Sequence, residues 1–243
     1  MRIALLGYGR TGREVERMAV ERGHEIVLRC NSRTPFYATT DDVDVAIDFS
    51  RPDLVFAHVA VCLDRSIPMV IGTTGWYDKL PALQELARQS RASIVYGSNF
   101  SIGMHMFRDL VANLASHIDI MDEYDIAIDE IHHRQKIDAP SGTALTLSRL
   151  ILDRVQRKTN IQTSMDGGVD PAALSVTAVR VGEYAGTHTV VADSKDDTLE
   201  LIHRAKNRQG FARGAVRAAE WIERNEGCFD VADVFQDILT SRA

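Results

Sequence analysis

The sequence predicts an α/β protein: a doubly wound parallel sheet that carries an inserted α+β domain with a mixed sheet. Two observations predict this class. Through the first hundred residues short apolar runs alternate with helical patterns, the signature of βαβ units. After about residue 101 the pattern changes to alternating apolar and polar segments joined by turn residues, and two helical patterns close the chain. Residues 3–6, 24–29, 43–49, 69–71 and 93–96 read as buried parallel strands. Residues 11–22, 52–64 and 76–90 read as helices, with Pro52 suited to a first helical turn. Right-handed crossovers then gather the strand C-termini along one edge, where ligands bind.

In the second part, residues 104–116 read as a helix. Residues 124–132 read as a strand, with Ile126, Ile128 and, less cleanly, Ile131 alternating with acidic residues. Residues 141–157 read as a long amphipathic helix. Segments 174–181, 188–192 and 198–203, joined by 182–186 and 194–197, suggest an antiparallel meander. Helices at 212–224 and 231–241 are expected to return to the first domain, because a meander offers them no parallel sheet to cover. The expected division is 1–101 plus 211–243 for one domain and 102–210 for the other, with hinges near 101 and 210.

Composition sets outer limits. Of 243 residues, 45% are hydrophobic and 26% charged, which suits one or two packed domains. A formal net charge of −6 argues against a nucleic-acid binder, which needs a basic face. Cys30, Cys62 and Cys228 are odd in number and widely spaced, so free thiols are expected and neither a disulfide framework nor a metal site is. Residues 1–7 are too few for a signal core, and no apolar run approaches the roughly 20 residues of a membrane helix. The expected location is the cytoplasm.

The first motif, Gly7-Tyr8-Gly9-Arg10-Thr11-Gly12, follows the first strand and begins the first helix. Its glycines allow a tight turn and close approach of a pyrophosphate to a helix N-terminus, which makes the first domain a Rossmann-type dinucleotide site. A plain glycine-rich turn is the bland alternative. The second strand ends at Arg29-Cys30-Asn31-Ser32-Arg33. An acid there would hold the ribose 2′-hydroxyl of NAD; Asn31, Ser32 and Arg33 suit a 2′-phosphate, so NADPH is favoured over NADH, with a solvated surface loop whose arginines do nothing as the alternative. Phe49, at the end of the third strand, belongs to the same edge. Gly72, Thr73 and Thr74 follow the fourth strand, and Gly97, Ser98, Asn99 and Phe100 the fifth. Both loops are placed beside the nicotinamide half, with Phe100 packing on its ring. Helix-cap and turn chemistry is the alternative for the Thr and Asn residues.

The second motif runs from Glu130 to Ala144: Glu130-Ile-His132-His133-Arg134-Gln-Lys136-Ile-Asp138-Ala-Pro140-Ser141-Gly142-Thr143-Ala. Side chains alternate along a strand, so the adjacent histidines point to opposite sides. Histidine titrates near neutrality and suits proton donation. Lys136 adds a second donor or a carboxylate partner, whereas Arg134 reads as a surface residue. Pro140, Ser141, Gly142 and Thr143 open a helix whose free N–H groups and hydroxyls suit a carboxylate, although a simple N-cap is the competing reading.

At these residues the chain resembles the 4-hydroxy-tetrahydrodipicolinate (dihydrodipicolinate) reductase family, whose hallmark reads roughly E-x-H-H-x-x-K-x-D-A-P-S-G-T-A. The resemblance continues through Asp48-Phe49-Ser50, Gly72-Thr73-Thr74-Gly75, Asn99-Phe100-Ser101, Arg180-x-Gly182, Gly186-x-His188, Phe211-x-x-Gly214-Ala215 and Phe229-Asp230, and so spans essentially the whole chain. It implies reduction of a cyclic imine dicarboxylate in lysine and diaminopimelate biosynthesis, with hydride from a nicotinamide. It implies His132 as proton donor, Lys136 as second donor, and His133, Gly142 and Thr143 on the substrate carboxylates. It also implies a homotetramer assembled through the inserted sheets. Three departures stand out: a glycine turn one residue shorter than in many members, Gly97-Ser98 in place of a frequent Ala-Pro, and the missing acid after the second strand. The competing readings are another nicotinamide-dependent amino-acid dehydrogenase and a non-catalytic dinucleotide sensor.

Overall fold

The computed structural model describes residues 1–31, 36, 42–164, 166–207 and 209–241. The chain divides into two units, Met1–Ile102 with Arg208–Ala243, and Gly103–Asn207.

The first unit is built on six parallel strands: β1 (Arg2–Leu6), β2 (Glu25–Cys30), β3 (Val45–Asp48), β4 (Met69–Ile71), β5 (Ser93–Tyr96) and β11 (Gly227–Asp230), in the order β11-β5-β4-β3-β1-β2. Each central strand is apolar through its middle because both faces are covered. Ile3, Leu5, Val45, Ile47, Val70 and Val95 point to one side, where α1 (Arg10–Glu21), α6 (Gln209–Ile222) and α7 (Val231–Thr240) pack. Ala4, Leu6, Ala46, Met69, Ile71 and Ile94 point to the other, under α2 (Val55–Asp64) and α3 (Leu80–Ser90). The chain runs from β1 outward to β2 and then crosses back to β3 on the other side of β1. That reversal opens a crevice at the C-terminal ends of β1 and β3.

Local boundaries differ from the sequence reading in physically simple ways. Pro52 does not open α2; residues 52–54 form a turn, with the Leu54 amide on the Arg51 carbonyl, and the helix starts at Val55. The helix expected over 76–90 breaks into a 3-10 turn at Tyr77–Lys79 followed by α3, whose first turn holds Pro81. The strand β11 was not anticipated: it is short, only half-buried, and begins at Gly227 with φ 137°.

The second unit pairs five strands in the order β10-β9-β6-β8-β7: β6 (Asp125–His132), β7 (Asn160–Gln162), β8 (Ala173–Arg180), β9 (Thr187–Asp193) and β10 (Thr198–Arg204). The sheet is mixed as expected, but the expected meander is not what forms. β6 lies between β8 and β9, parallel to the first and antiparallel to the second, and only β9 and β10 make a hairpin. The β8 and β9 sequences do not reveal that a strand some fifty residues upstream separates them. One face is covered by α4 (Ile102–Ile120) and α5 (Gly142–Leu152), with Phe107, Val111, Leu147 and Ile151 packed on Ile126, Ile128, Val176 and Val190. α5 ends at Leu152, five residues short of the predicted helix. The opposite face leaves Val179 and Ile202 exposed. No helix among the described residues is long and apolar enough to cross a membrane.

Candidate active site

The glycine turn occupies the crevice between β1 and β3. Gly7 has φ 97°, and a Cβ there would overlap the Phe49 backbone. A Cβ at Gly12 would overlap the Gly7 carbonyl oxygen. These two glycines therefore shape the turn itself. Gly9 is different: a Cβ there would meet nothing within 4 Å, and Gly9 caps α1 without any side-chain hydrogen bond. Open space in front of uncapped helical N–H groups fits a pyrophosphate. Arg10 is exposed and Thr11 half-buried at this helix start. The Tyr8 hydroxyl donates to Glu16, its ring lies 5.8 Å from Arg13 and 5.9 Å from Arg29, and Arg29 pairs with Glu16. Asn31 follows β2 at the same edge, whereas Ser32 and Arg33 lie outside the described residues.

Asp48 organises the adjoining loops. Its buried carboxylate accepts from the Ser50 amide (2.8 Å) and the Thr73 hydroxyl (2.7 Å), and contacts His58 Nδ1 at 2.7 Å. Thr73 is thereby committed to holding the Phe49–Ser50 turn, while Thr74 is exposed. A Cβ at Gly72 would overlap the Phe49 ring, and one at Gly97 would overlap Val231. Phe100 is only 1% exposed and packs edge-on to Phe49 with ring centroids 6.0 Å apart. Its ring is a core group and is not presented to a ligand, so the expectation that it stacks on one is corrected. Ser98 is exposed and Asn99 half-buried, with the Asn99 side-chain oxygen accepting from the Ser101 amide at 2.9 Å.

In the second unit the alternation of β6 puts Ile126, Ile128, Glu130 and His132 on its buried face, with exposures of 2%, 0%, 0% and 7%. The phase therefore continues through Glu130 and His132, and Ile131 faces the other way. Register does the rest. Glu130 pairs with His188 on β9, and His132 pairs with Arg180 on β8. Four polar side chains thus meet at the end of an otherwise apolar face. Glu130 Oε1 accepts from Arg180 Nη2 (2.8 Å) and from the Ser141 amide (2.9 Å). Glu130 Oε2 lies 3.4 Å from His132 Nδ1 and 3.5 Å from His188 Nε2. The two imidazoles meet edge to face with centroids 5.1 Å apart.

Ser141 caps α5, its hydroxyl accepting from the Ala144 amide at 3.2 Å, so the N-cap reading holds for that side chain. His133 is half-buried, with its amide on the Tyr184 carbonyl. Arg134 is exposed. Lys136 Nζ pairs with Asp138 at 2.7 and 3.0 Å, and the Gly142 amide donates to the same carboxylate at 3.3 Å. Thr143 is half-buried on the first turn of α5. A Cβ at Gly142 would meet nothing within 4 Å. Two of the donors that the sequence assigned to the substrate site, Lys136 and the Gly142 amide, are thus holding a carboxylate of the chain itself.

The electrostatics are polarised. Burial pushes the Glu130 carboxyl up, but the donors at His188, Ser141 and Arg180 together outweigh it and hold the group well below the usual carboxylate range. Burial pushes the His132 imidazole down to about 4; Glu130 opposes this, and His188, Lys136 and Arg180 add to it. Glu130, His132 and His188 offer ligand atoms within 4.8 Å of one another, a spacing open to a metal ion. Arg180 already supplies the positive charge at Glu130, so the trio reads as an ion-paired cluster. Sequence reasoning left Glu130, Arg180 and His188 out of the site. A usable signal was present: an acidic residue falling in phase with Ile126 and Ile128 on a strand's buried face.

Residues 1–100 match the family model for dihydrodipicolinate reductase, N-terminus, and residues 103–235 that for dihydrodipicolinate reductase, C-terminus. The chain belongs to the dihydrodipicolinate reductase family. A 4-hydroxy-tetrahydrodipicolinate reductase of Christiangramia forsetii is 40% identical over 98% of this chain and 99% of the relative. One of Chromobacterium violaceum is 38% identical over 82% of this chain and 76% of the relative. A dipicolinate-bound dihydrodipicolinate reductase from Paenisporosarcina sp. TG-14 shares the fold, with a TM-score of 0.77 at 22% identity over 96% of this chain and 99% of that one. Membership makes this family chain a nicotinamide-dependent oxidoreductase with the Rossmann-type sheet and second mixed sheet described above.

Proposed function

We propose that this chain reduces 4-hydroxy-tetrahydrodipicolinate, which loses its hydroxyl as water to give dihydrodipicolinate, to tetrahydrodipicolinate in lysine and diaminopimelate biosynthesis. The observation that carries the proposal is the loop that sets His132, Lys136 and Ser141 at the end of β6 in a member of this family. A reduced nicotinamide, when bound, supplies the hydride. Gly9 and the open start of α1 receive the pyrophosphate, with Gly7 and Gly12 shaping the turn. His132 gives a proton to the ring as enamine-like electron density develops, and Lys136 is a second donor. His133, Ser141, Gly142 and Thr143 hold the carboxylates, where cations and N–H groups orient the ring and favour the developing charge. The first unit is the dinucleotide-binding domain and the second the substrate-binding domain. The exposed Val179 and Ile202 support assembly through the open sheet face; a homotetramer located in the cytoplasm is the state this reading expects.

The deciding experiment is cofactor oxidation with freshly generated substrate, run with NADPH and NADH side by side. Turnover is expected, with the lower Michaelis constant for NADPH. The Arg33→Ala variant raises that constant for NADPH and leaves the NADH value nearly unchanged, because Asn31, Ser32 and Arg33 replace the acid that would hold a 2′-hydroxyl. Absence of turnover with both cofactors returns the chain to a dinucleotide sensor, and equal effects of Arg33→Ala on both remove the assignment of Arg33.

The Asp138 contacts give a second expected result. Substrate must displace the Asp138 carboxylate from Lys136 and the Gly142 amide. An exposed pair of this kind is worth roughly 0–1 kcal/mol, so Asp138→Asn lowers the Michaelis constant for the dicarboxylate by a few-fold at most. Steady-state kinetics at fixed NADPH measure it. A large increase instead means that Asp138 supports the site.

A further inference from the structure

We infer that Glu130 is the positioning residue for the proton donor: it fixes the Nδ1 edge of His132, anchors the start of α5 through the Ser141 amide, and leaves Nε2 of His132 as the edge that meets substrate. The inference rests on the proposed role of His132, and extends it to a residue that makes no claim to touch substrate.

The two carboxylate oxygens are divided between tasks. Oε1 is saturated by strong partners, Arg180 Nη2 at 2.8 Å and the Ser141 amide at 2.9 Å. Arg180 Nη2 also donates to the Asp138 carbonyl at 2.6 Å, so the guanidinium locks the carboxylate to the loop that carries Lys136 and Asp138. Oε2 makes no good hydrogen bond among the described residues; its approaches to His132 Nδ1 and His188 Nε2, at 3.4 and 3.5 Å, are longer than a well-formed N–H···O bond. A completely buried anion with one oxygen held only by long contacts to two imidazoles is a poor choice for stability alone, because buried polar atoms are ordinarily satisfied by well-formed hydrogen bonds. It is a good arrangement for accepting Nδ1–H from His132 and drawing closer as that ring becomes an imidazolium.

The other edge of His132 faces Gly186. Gly186 has φ 141°, and a Cβ there would stand 3.0 Å from Nε2 and 3.3 Å from Cδ2. The residue facing Nε2 is therefore one that carries no side chain, held in a backbone conformation that a side chain would disfavour. With Nδ1 turned to Glu130, Nε2 is the nitrogen available to a ligand. The charged and titratable groups facing His132 are Glu130 on its own strand, His188 on β9, Arg180 on β8 and Lys136 on the following loop. Only Glu130 among them favours the imidazolium. A bound dicarboxylate adds negative charge to that same side of the balance, so its arrival raises the proton affinity of the donor.

The test uses full-length wild type, Glu130→Gln, Arg180→Met and the double variant Glu130→Gln/Arg180→Met, each labelled with ¹³C-histidine. The His132 ring signal is identified by its loss in His132→Gln. Titrations are run with and without pyridine-2,6-dicarboxylate as the probe, and turnover is measured in parallel. Removing an opposite charge at this distance lowers the pH at which His132 titrates by about one unit or more, and turnover falls about tenfold or more for lack of an oriented donor. Glu130→Gln leaves the half-buried Arg180 without its ionic partner and can fail to fold; the double variant removes both charges. Because Arg180 itself lowers the His132 titration and holds the Asp138 loop, the double variant is read against Arg180→Met. A folded double variant that turns over more slowly than Arg180→Met, with a lower His132 titration, upholds the inference. His132 titration and turnover equal to those of Arg180→Met overturn it by showing that Glu130 merely balances Arg180. The two readouts also separate the layers: wild type that does not reduce the dicarboxylate defeats the proposed function, while the ligand-free titration still reports on the Glu130–His132 pair.

Discussion

His132→Gln is expected to depress turnover by about a hundred- to ten-thousand-fold, the usual contribution of a positioned general acid, while cofactor affinity stays near that of wild type. The variant keeps a polar side chain of similar reach but cannot deliver a proton at neutral pH. The pH dependence follows from the position of the imidazole. In the free protein burial holds it near 4, so at pH 7 the ring is neutral. The substrate's negative charge raises its proton affinity, so the turnover profile is expected to fall at a higher pH than the profile of kcat/KM. Rate is lost as pH rises through each value, because the acid must be protonated to act. His132→Gln removes this limb from both profiles.

The same residue makes a stability prediction with a definite sign. The unfolded imidazole binds its proton near 6.5 and the folded one near 4, so between these values the unfolded chain binds more protons. The stability associated with neutral His132 is complete above pH 6.5 and is lost as pH falls toward 4, up to roughly 3 kcal/mol at about 1.36 kcal/mol per unit. Urea denaturation of wild type and His132→Gln at several pH values measures it. The variant should lose less stability than wild type on acidification through that window. Near-normal turnover in the variant, with both pH profiles unchanged, would mean the proton comes from another group.

How much of this was legible in the sequence depends on the range of the interactions involved. The parallel sheet was readable because strands covered on both faces are apolar throughout: Ile3 and Leu5 serve one core while Ala4 and Leu6 serve the other. The turn at Gly7 to Gly12 and the loop from Glu130 to Thr143 were readable because each is a contiguous stretch with its chemistry in order. The second sheet was misread because pairing of β6 between β8 and β9 is decided by long-range burial, which no local pattern reports. The same insertion hid the cluster. Glu130, Arg180 and His188 come from three strands and meet only through the registers Glu130↔His188 and His132↔Arg180. Phe100 shows the opposite failure: its place in a loop at the ligand edge suggested a contact surface, but the aromatic ring is consumed by the core beside Phe49.

Two glycines distinguish fold from binding, and their replacement by alanine should give contrasting results. At Gly214, on α6, an added Cβ would overlap the Phe100 carbonyl oxygen, stand 2.8 Å from the Phe100 carbonyl carbon and 3.1 Å from the Phe235 ring. Most of that obstruction is the Phe100 backbone in the loop after β5, which cannot rotate away, so α6 must shift from its seat. Overpacking of a well-packed core costs about 1–3 kcal/mol, and this site belongs at the upper end or beyond it. For a chain of this size, 3 kcal/mol corresponds to a melting temperature lower by roughly 6–12 °C. At Gly9 the backbone has φ −87°, which alanine adopts freely, and the added methyl meets nothing of the protein within 4 Å. Its fold stability should change by no more than about 1 kcal/mol, the difference between glycine and alanine as a helix cap. The methyl does occupy the space in front of the open N–H groups of α1, where the pyrophosphate is proposed to sit. NADPH affinity should therefore fall by about ten- to a hundred-fold, the equivalent of 1–3 kcal/mol of obstruction. Calorimetric titration with NADPH and thermal melts on both variants measure the contrast. A Gly9→Ala variant that binds NADPH like wild type places the pyrophosphate elsewhere, and a Gly214→Ala variant that melts like wild type means α6 can move away from β5 at little cost.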